Sequence, residues 1–311
     1  MKKRVITGLI LLAVLIPVFT VSYLLPVFLV VMALLTICGS YEMLKMFSNK
    51  ETIPKPFMFV VMLLTLLFYY AMIFASDVIT FEVVEEYFYA VDLTAILLLI
   101  FLILFASIVF MPNHNMSLLC SAFITIFYIG LSFASITILR LMGVRFIIYL
   151  FLITIMTDMF AYFIGIKFGK RRLAPVISPK KSVEGAIAGS IAGTIFASLF
   201  ALFYDIYPEA LNPENLQTIF TGFSKLGELS RGLQALVIVP ITFVATIVSQ
   251  IGDLVASKFK RNYEIKDFGN IFPGHGGVVD RFDSSMLTSV FLVFLLTILI
   301  VVFPVWKMFI F

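Results

Sequence analysis

Between Gly252 and Ser284 a chain of long apolar runs is interrupted by GDLVASKFKRNYEIKDFGNIFPGHGGVVDRFDS. Lys258, Lys260, Arg261, Lys266 and Arg281 are interleaved there with Asp253, Glu264, Asp267, Asp280 and Asp283. Ionisable groups in or beside a bilayer are costly, so such a cluster between two apolar runs points to function rather than packing. Asp253 has Gln250 three residues before it and Ser257 four after it, which places the three on one helical face. Asp280 and Asp283 share a face if a helix begins near Val278. Oxygen ligands of this kind suit magnesium, which is commonly held by one or two carboxylates together with water and substrate phosphates. Adjacent lysines and arginines would bind those phosphates and offset their charge. The turn Pro273-Gly274-His275-Gly276-Gly277 would let backbone N–H groups approach an anion at a helix N-terminus. No Gly-Lys-Ser or Gly-Lys-Thr follows, so it is not a Walker A loop.

These residues need elements to hold them, and composition says what kind. Of the 311 residues 62% are hydrophobic and 13% charged, and mean hydropathy is +1.12. A soluble domain averages about 25% charged residues, so the chain reads as an integral membrane protein. Its apolar runs are continuous rather than alternating, which selects spanning helices over a β-barrel. The expectation is an all-α polytopic helical bundle of about nine transmembrane helices. Cys38 and Cys120 lack CxxC spacing and read as small buried hydrophobes.

Lys2, Lys3 and Arg4 place the N-terminus in the cytoplasm by the positive-inside rule, with a retained first span rather than a cleaved leader. The run Val5–Leu44 is long enough for two helices with a break near Ser22 and Pro26. Further spans are expected near 56–75, 93–111, 117–139, 146–168, 184–203, 233–254 and 285–303, which leaves the C-terminus outside. The acidic loop Ser76–Asp92 then lies outside, whereas 167–184 and 253–284 are basic loops facing the cytoplasm. Gly185, Gly189 and Gly193 have the small-xxx-small spacing that lets helices pack closely. Residues 1–145 read as N-terminal transmembrane helices and 146–311 as the catalytic region, within one continuous membrane domain.

The pattern Ser257-x-x-Lys260-Arg261, Lys266-Asp267, Pro273-x-His275-Gly276-Gly277-x-x-Asp280-Arg281-x-Asp283 resembles the signature of the phosphatidate cytidylyltransferases, or CDP-diacylglycerol synthases. A second block is similar to the same family: Asp158, Tyr162, Gly165, Gly169-Lys170, then Ser178-Pro179-Lys180-Lys181-Ser182-x-Glu184-Gly185. The resemblance covers the C-terminal half without departure at the motif positions. The N-terminal half is similar only in its apolar spans. The resemblance implies that CTP and phosphatidate give CDP-diacylglycerol and pyrophosphate. It implies metal binding at Asp253 and Asp280, with Asp283 a third candidate, for Mg2+ with room for a second cation such as K+. It makes Lys258, Lys260, Arg261, Lys266, Arg281, Lys180 and Lys181 candidates for the phosphates of either substrate. Ser178 and Ser257 are candidate phosphate or cation contacts, and Asp158, Asp267, His275, Gly276 and Gly277 further members of the site. Asp267 could instead pair with Lys266 or Arg261 to hold its loop. His275 could simply bond backbone, and Asp158 could form a structural ion pair. Lys225, Arg231 and Trp306 read as interfacial anchors.

Two rival readings differ in chemistry. A CTP-using kinase of a membrane alcohol would release CDP rather than pyrophosphate. A secondary transporter for an anion places its site near the midplane in broken helices of two related halves. Here the charge lies at one membrane face and no halves stand out. The expected partners are CTP, phosphatidate and membrane lipid, without nucleic acid, and assembly is open between a single chain and a homodimer. The expected location is a bacterial plasma membrane, with the active site facing the cytoplasm.

Overall fold

The computed structural model describes residues 16–76, 92–110, 116–209, 211–271 and 276–303. Among the described residues eight helices are long and apolar enough to cross a bilayer. They are α1 (Leu25–Phe47), α2 (Lys55–Phe74), α3 (Leu93–Phe110), α4 (Met116–Met142), α5 (Val144–Phe168), α6 (Val183–Leu202), α7 (Arg231–Asn262) and α8 (Val279–Val302). The chain is an all-α polytopic membrane protein. A short antiparallel hairpin, β1 (Arg172–Ala174) with β2 (Ser178–Ser182), is the one exception among the described residues.

The helices fall where the apolar runs place them. The additional span expected from Val5 lies mostly outside the described residues, as do His114, His275, Trp306 and most of the acidic loop. The expected break is present as a 3-10 turn over Ser22–Leu24. Pro26 follows in the first turn of α1, where its missing N–H removes no helical bond.

Three expectations need correction. α7 does not end near Leu254 but runs through Asn262, so Ser257, Lys258, Lys260 and Arg261 are helical rather than part of a loop. Ala, Lys and Arg are good helix formers and no Gly or Pro intervenes, so apolarity stops there while the helix does not. The stretch 167–184 is not an open loop but contains the β-hairpin. Its second strand ends in Ser182, which caps α6 by accepting the Gly185 N–H at 3.2 Å. Cys38 is half-buried, and Cys120 is exposed rather than buried.

The chain divides into two compact units, 1–142 with 258–286 and 143–257 with 287–311. In the first, α1, α2 and α4 pack on one another around Phe28, Met32, Val61, Phe133 and Ile136, all fully buried. Hydroxyls in this apolar setting are satisfied locally. Thr36 and Ser40 donate to the carbonyls one turn back, Met32 at 2.8 Å and Thr36 at 2.7 Å. Between α2 and α4, Tyr69 and Thr137 share a hydrogen bond of 3.0 Å. α3 buries Ile100 and Leu104 and exposes most of its remaining apolar side chains, as a lipid-facing helix does.

In the second unit α5 and α6 pack along their length. The small-xxx-small glycines make this possible. A Cβ on Gly189 would lie 2.6 Å from the Thr157 carbonyl oxygen, and one on Gly185 2.5 Å from that of Ala161. Tyr149 on α5 shares a 2.6 Å hydrogen bond with Thr242 on α7. In the segment between α6 and α7, Asp205 pairs with Arg231, and the Thr221 carbonyl accepts from Arg145 at 3.0 Å.

Gly189→Val should overpack the α5–α6 contact and cost about 1–3 kcal/mol. The readout is a lower melting temperature in detergent. Ile191→Val, on the exposed face of the same helix, should leave the melting temperature in place. Equal melting of the two variants would show that the glycine stripe is not a packing requirement.

Candidate functional site

In the second unit β2 carries Ser178, Lys180 and Lys181 to the start of α6. Ser178 stands opposite Ala174 on β1. Lys181 forms an ion pair with Asp253 of α7. The other Asp253 oxygen accepts the Ser257 hydroxyl at 3.3 Å, one turn along the helix. Gln250, a turn earlier, donates to the Ala186 carbonyl at 3.1 Å and to the Ser190 hydroxyl at 2.7 Å, which fixes α7 against α6. A cavity of about 800 Å³ lies beside these groups, lined by Asp158, Arg172, Lys180, Lys181, Ser182 and Asp253 among others. That is within the usual range for small-molecule sites, about 300–1,000 Å³.

The hairpin is positioned by small residues and one acid. Gly165 and Gly169 leave room for the Ser182 hydroxyl, since a Cβ on Gly165 would come within 3.1 Å of it and one on Gly169 within 2.5 Å. Glu184 accepts the backbone N–H groups of Lys170 at 3.0 Å and Arg171 at 3.2 Å, which fixes the turn after α5.

In the first unit Asp280 sits in the first turn of α8 and is 9% exposed. Its Oδ1 accepts from the Lys260 ammonium at 2.9 Å. Its Oδ2 accepts the N–H groups of Phe268 at 2.8 Å and Gly277 at 3.0 Å. The Lys260 ammonium also lies 5.5 Å from the centre of the Phe268 ring. Gly276 has φ +87°, a left-handed conformation that favours glycine, and a Cβ there would meet Asp280. Asp283 is half-buried, and its carboxylate accepts the Ser284 N–H at 2.9 Å.

The predicted residues are thus brought together in part. Asp158, Lys180, Lys181, Asp253 and Ser257 gather in one unit, and Lys260, Gly276, Gly277 and Asp280 in the other. Lys258, Arg261, Lys266, Asp267 and Arg281 are exposed, and His275 lies outside the described residues. Arg172 and Glu42 are not singled out by their sequence context. Arg172 belongs to the cavity wall. Glu42 is buried on α1, and its two oxygens accept the N–H groups of Val278 and Val279, each at 3.0 Å. The signal available for Glu42 is that it is a lone acid inside an apolar run.

Among the described residues no three His, Cys, Asp or Glu side chains form a ready cation cage. Magnesium does not require one, since it takes few carboxylates and completes its shell with water and substrate oxygens. Asp253 and Asp280 fit that use by their donor sets, because each already holds a cation, the ammonium of Lys181 or Lys260.

The sequence matches the Cytidylyltransferase family over residues 2–299. A protein of Staphylococcus epidermidis named phosphatidate cytidylyltransferase is 30% identical over 203 residues, 65% of this chain and 68% of that protein. Proteins of the same name from Staphylococcus aureus and Staphylococcus haemolyticus are also similar. The first is 30% identical over 198 residues, 63% of this chain and 66% of that one. The second is 32% identical over 178 residues, 57% and 59% of the respective chains. With a match that runs through nearly all of its length, the chain belongs to the cytidylyltransferase family.

Proposed function

We propose that this protein is a phosphatidate cytidylyltransferase, which joins CTP and phosphatidate to give CDP-diacylglycerol and pyrophosphate. The observation that carries this reading is the cavity of the second unit. Its lining combines the acids Asp158 and Asp253 with Arg172, Lys180 and Lys181. The family, and the name its staphylococcal relatives share, support it.

A phosphate oxygen of phosphatidate attacks the α-phosphorus of CTP. The bond from that phosphorus to the bridging oxygen breaks, and pyrophosphate leaves with the electron pair. The nucleophile is already anionic, so no strong general base is needed. The difficulty is bringing two polyanions together in line, which is a matter of positioning and charge. Lys180, Lys181 and Arg172 bind phosphates in the cavity. Lys258, Arg261, Lys266 and Arg281, all exposed, attract the substrates as they arrive. Asp253 in the one unit and Asp280 in the other are each a candidate carboxylate for magnesium, with Asp283 the third candidate. When bound, the ion supplies Lewis-acid withdrawal of charge from the phosphates. The protein resides in the plasma membrane, and its site opens to the cytoplasm, where CTP is found.

Purified protein in detergent, given CTP and phosphatidate, should form CDP-diacylglycerol and pyrophosphate only with magnesium present, and a chelator should stop it. Release of CDP would indicate phosphoryl transfer to the lipid and remove this reading. A folded preparation that makes neither product would remove it equally.

Asp253→Asn and Lys181→Met should each lower kcat/KM by about 10²-fold or more, the scale seen when one preorganised charge-stabilising group is lost. The melting temperature should change little, because a partly exposed ion pair contributes about 0–1 kcal/mol. Wild-type turnover in both variants would take the pair out of the site.

A further inference from the structure

Glu42 is a buried acid of α1 for which the reaction above provides no task. It is 2% exposed. Oε1 accepts the Val278 N–H and Oε2 the Val279 N–H, both at 3.0 Å. These N–H groups stand at the entry to α8, where a helix has no internal acceptors and where its dipole favours a negative charge. A cap normally comes from a residue next to the helix. Here it comes from 236 residues away in sequence.

The surrounding chain is cut to admit this carboxylate. A Cβ on Gly269 or on Gly277 would overlap it. The Gly277 N–H is meanwhile given to Asp280. The bare Cα of Gly277 therefore makes room for Glu42, and its N–H serves Asp280. Phe268 and Gly277 donate to Asp280 while Val278 and Val279 donate to Glu42. The backbone that leads into α8 is thus held between two buried carboxylates. One of them, Asp280, also holds Lys260.

We infer that Glu42 is a positioning residue for the reaction, an inference that rests on the cytidylyl-transfer reading. It holds the entry of α8 and so sets where Asp280, Gly276 and the Lys260 ammonium stand. Both of its oxygens are committed to backbone, so it acts through α8 rather than on a substrate. Its loss would strand two buried N–H groups in the same turn that carries Asp280, and the backbone would have to move to satisfy them.

Glu42→Gln keeps the size of the side chain but turns an NH2 donor toward one of the two N–H groups. kcat should fall roughly 10- to 100-fold, the usual cost of losing a partner that orients a functional group, while KM for CTP changes little. Hydrogen exchange on the intact protein in detergent should quicken at Phe268 and at Gly277–Val279, with the membrane helices keeping their protection. Faster exchange everywhere would make Glu42 a general fold anchor and overturn the inference. So would an unchanged kcat. A second arm covers a Glu42→Gln variant that does not fold. Gly277→Ala should lower kcat by crowding the carboxylate, and adding Glu42→Asp, one methylene shorter, should restore part of it. Strictly additive losses would overturn the inference. The exchange pattern does not depend on which product forms, whereas failure of the parent protein to make CDP-diacylglycerol counts against the reaction alone.

Discussion

A carboxylate carried to the edge of a bilayer must find donors for both oxygens, and this protein supplies them in two ways. Glu42 takes Val278 and Val279, and Glu184 takes Lys170 and Arg171, all through backbone N–H groups. Asp253 takes side-chain donors, Lys181 and Ser257. Asp280 combines both, with two backbone N–H groups on one oxygen and an ammonium on the other. Backbone donors cannot leave without refolding a turn. Side-chain donors can swing away. The pattern therefore separates acids that fix the chain from acids able to exchange a partner.

The glycines follow from the same constraint at short range. Gly185 and Gly189 let α6 approach α5, while Gly165 and Gly169 give the Ser182 hydroxyl its place as a cap. Gly269 and Gly277 clear space for Glu42. Glycines that read alike in sequence thus admit a helix, a hydroxyl and a carboxylate. A motif glycine is evidence of a close approach, and only the structure says by what.

The spans were legible because a bilayer demands about 20 apolar residues in a row, and no other local rule competes with that signal. The same signal misplaced the end of α7. Hydropathy falls after Leu254, yet Ser257–Arg261 contains nothing that breaks a helix. The hairpin was illegible for the opposite reason. Its second strand, Ser178-Pro179-Lys180-Lys181-Ser182, has little β-propensity and is held by its pairing with β1 and by the cap it gives α6. Motif reading singles out Asp253, Lys181, Lys260 and Asp280, since charge stands out in an apolar chain, and the structure pairs Lys181 with Asp253 and Lys260 with Asp280. It did not find Glu42, whose partners lie at the far end of the sequence. It also could not tell that Gly277 gives its N–H to Asp280, because a glycine turn before a helix suits an acid of the chain as well as a phosphate.

On the proposed reaction the two ion pairs make different demands. Lys181 and Asp253 have side chains 27% and 24% exposed, so water can cover either one when they part. The side chains of Lys260 and Asp280 are 16% and 4% exposed. A lysine that leaves such a carboxylate for a phosphate abandons a buried anion, which is strongly unfavourable unless another cation takes its place. Backbone donors stabilise Asp280 in part, but they cannot neutralise it. Were Lys260 to leave for a substrate phosphate, charge balance would call for another cation at Asp280. Lys181 is under no such obligation, because solvent can screen the Asp253 it leaves. On the proposed reaction, the burial of Asp280 argues for a cation there more strongly than the number of acids in the sequence does.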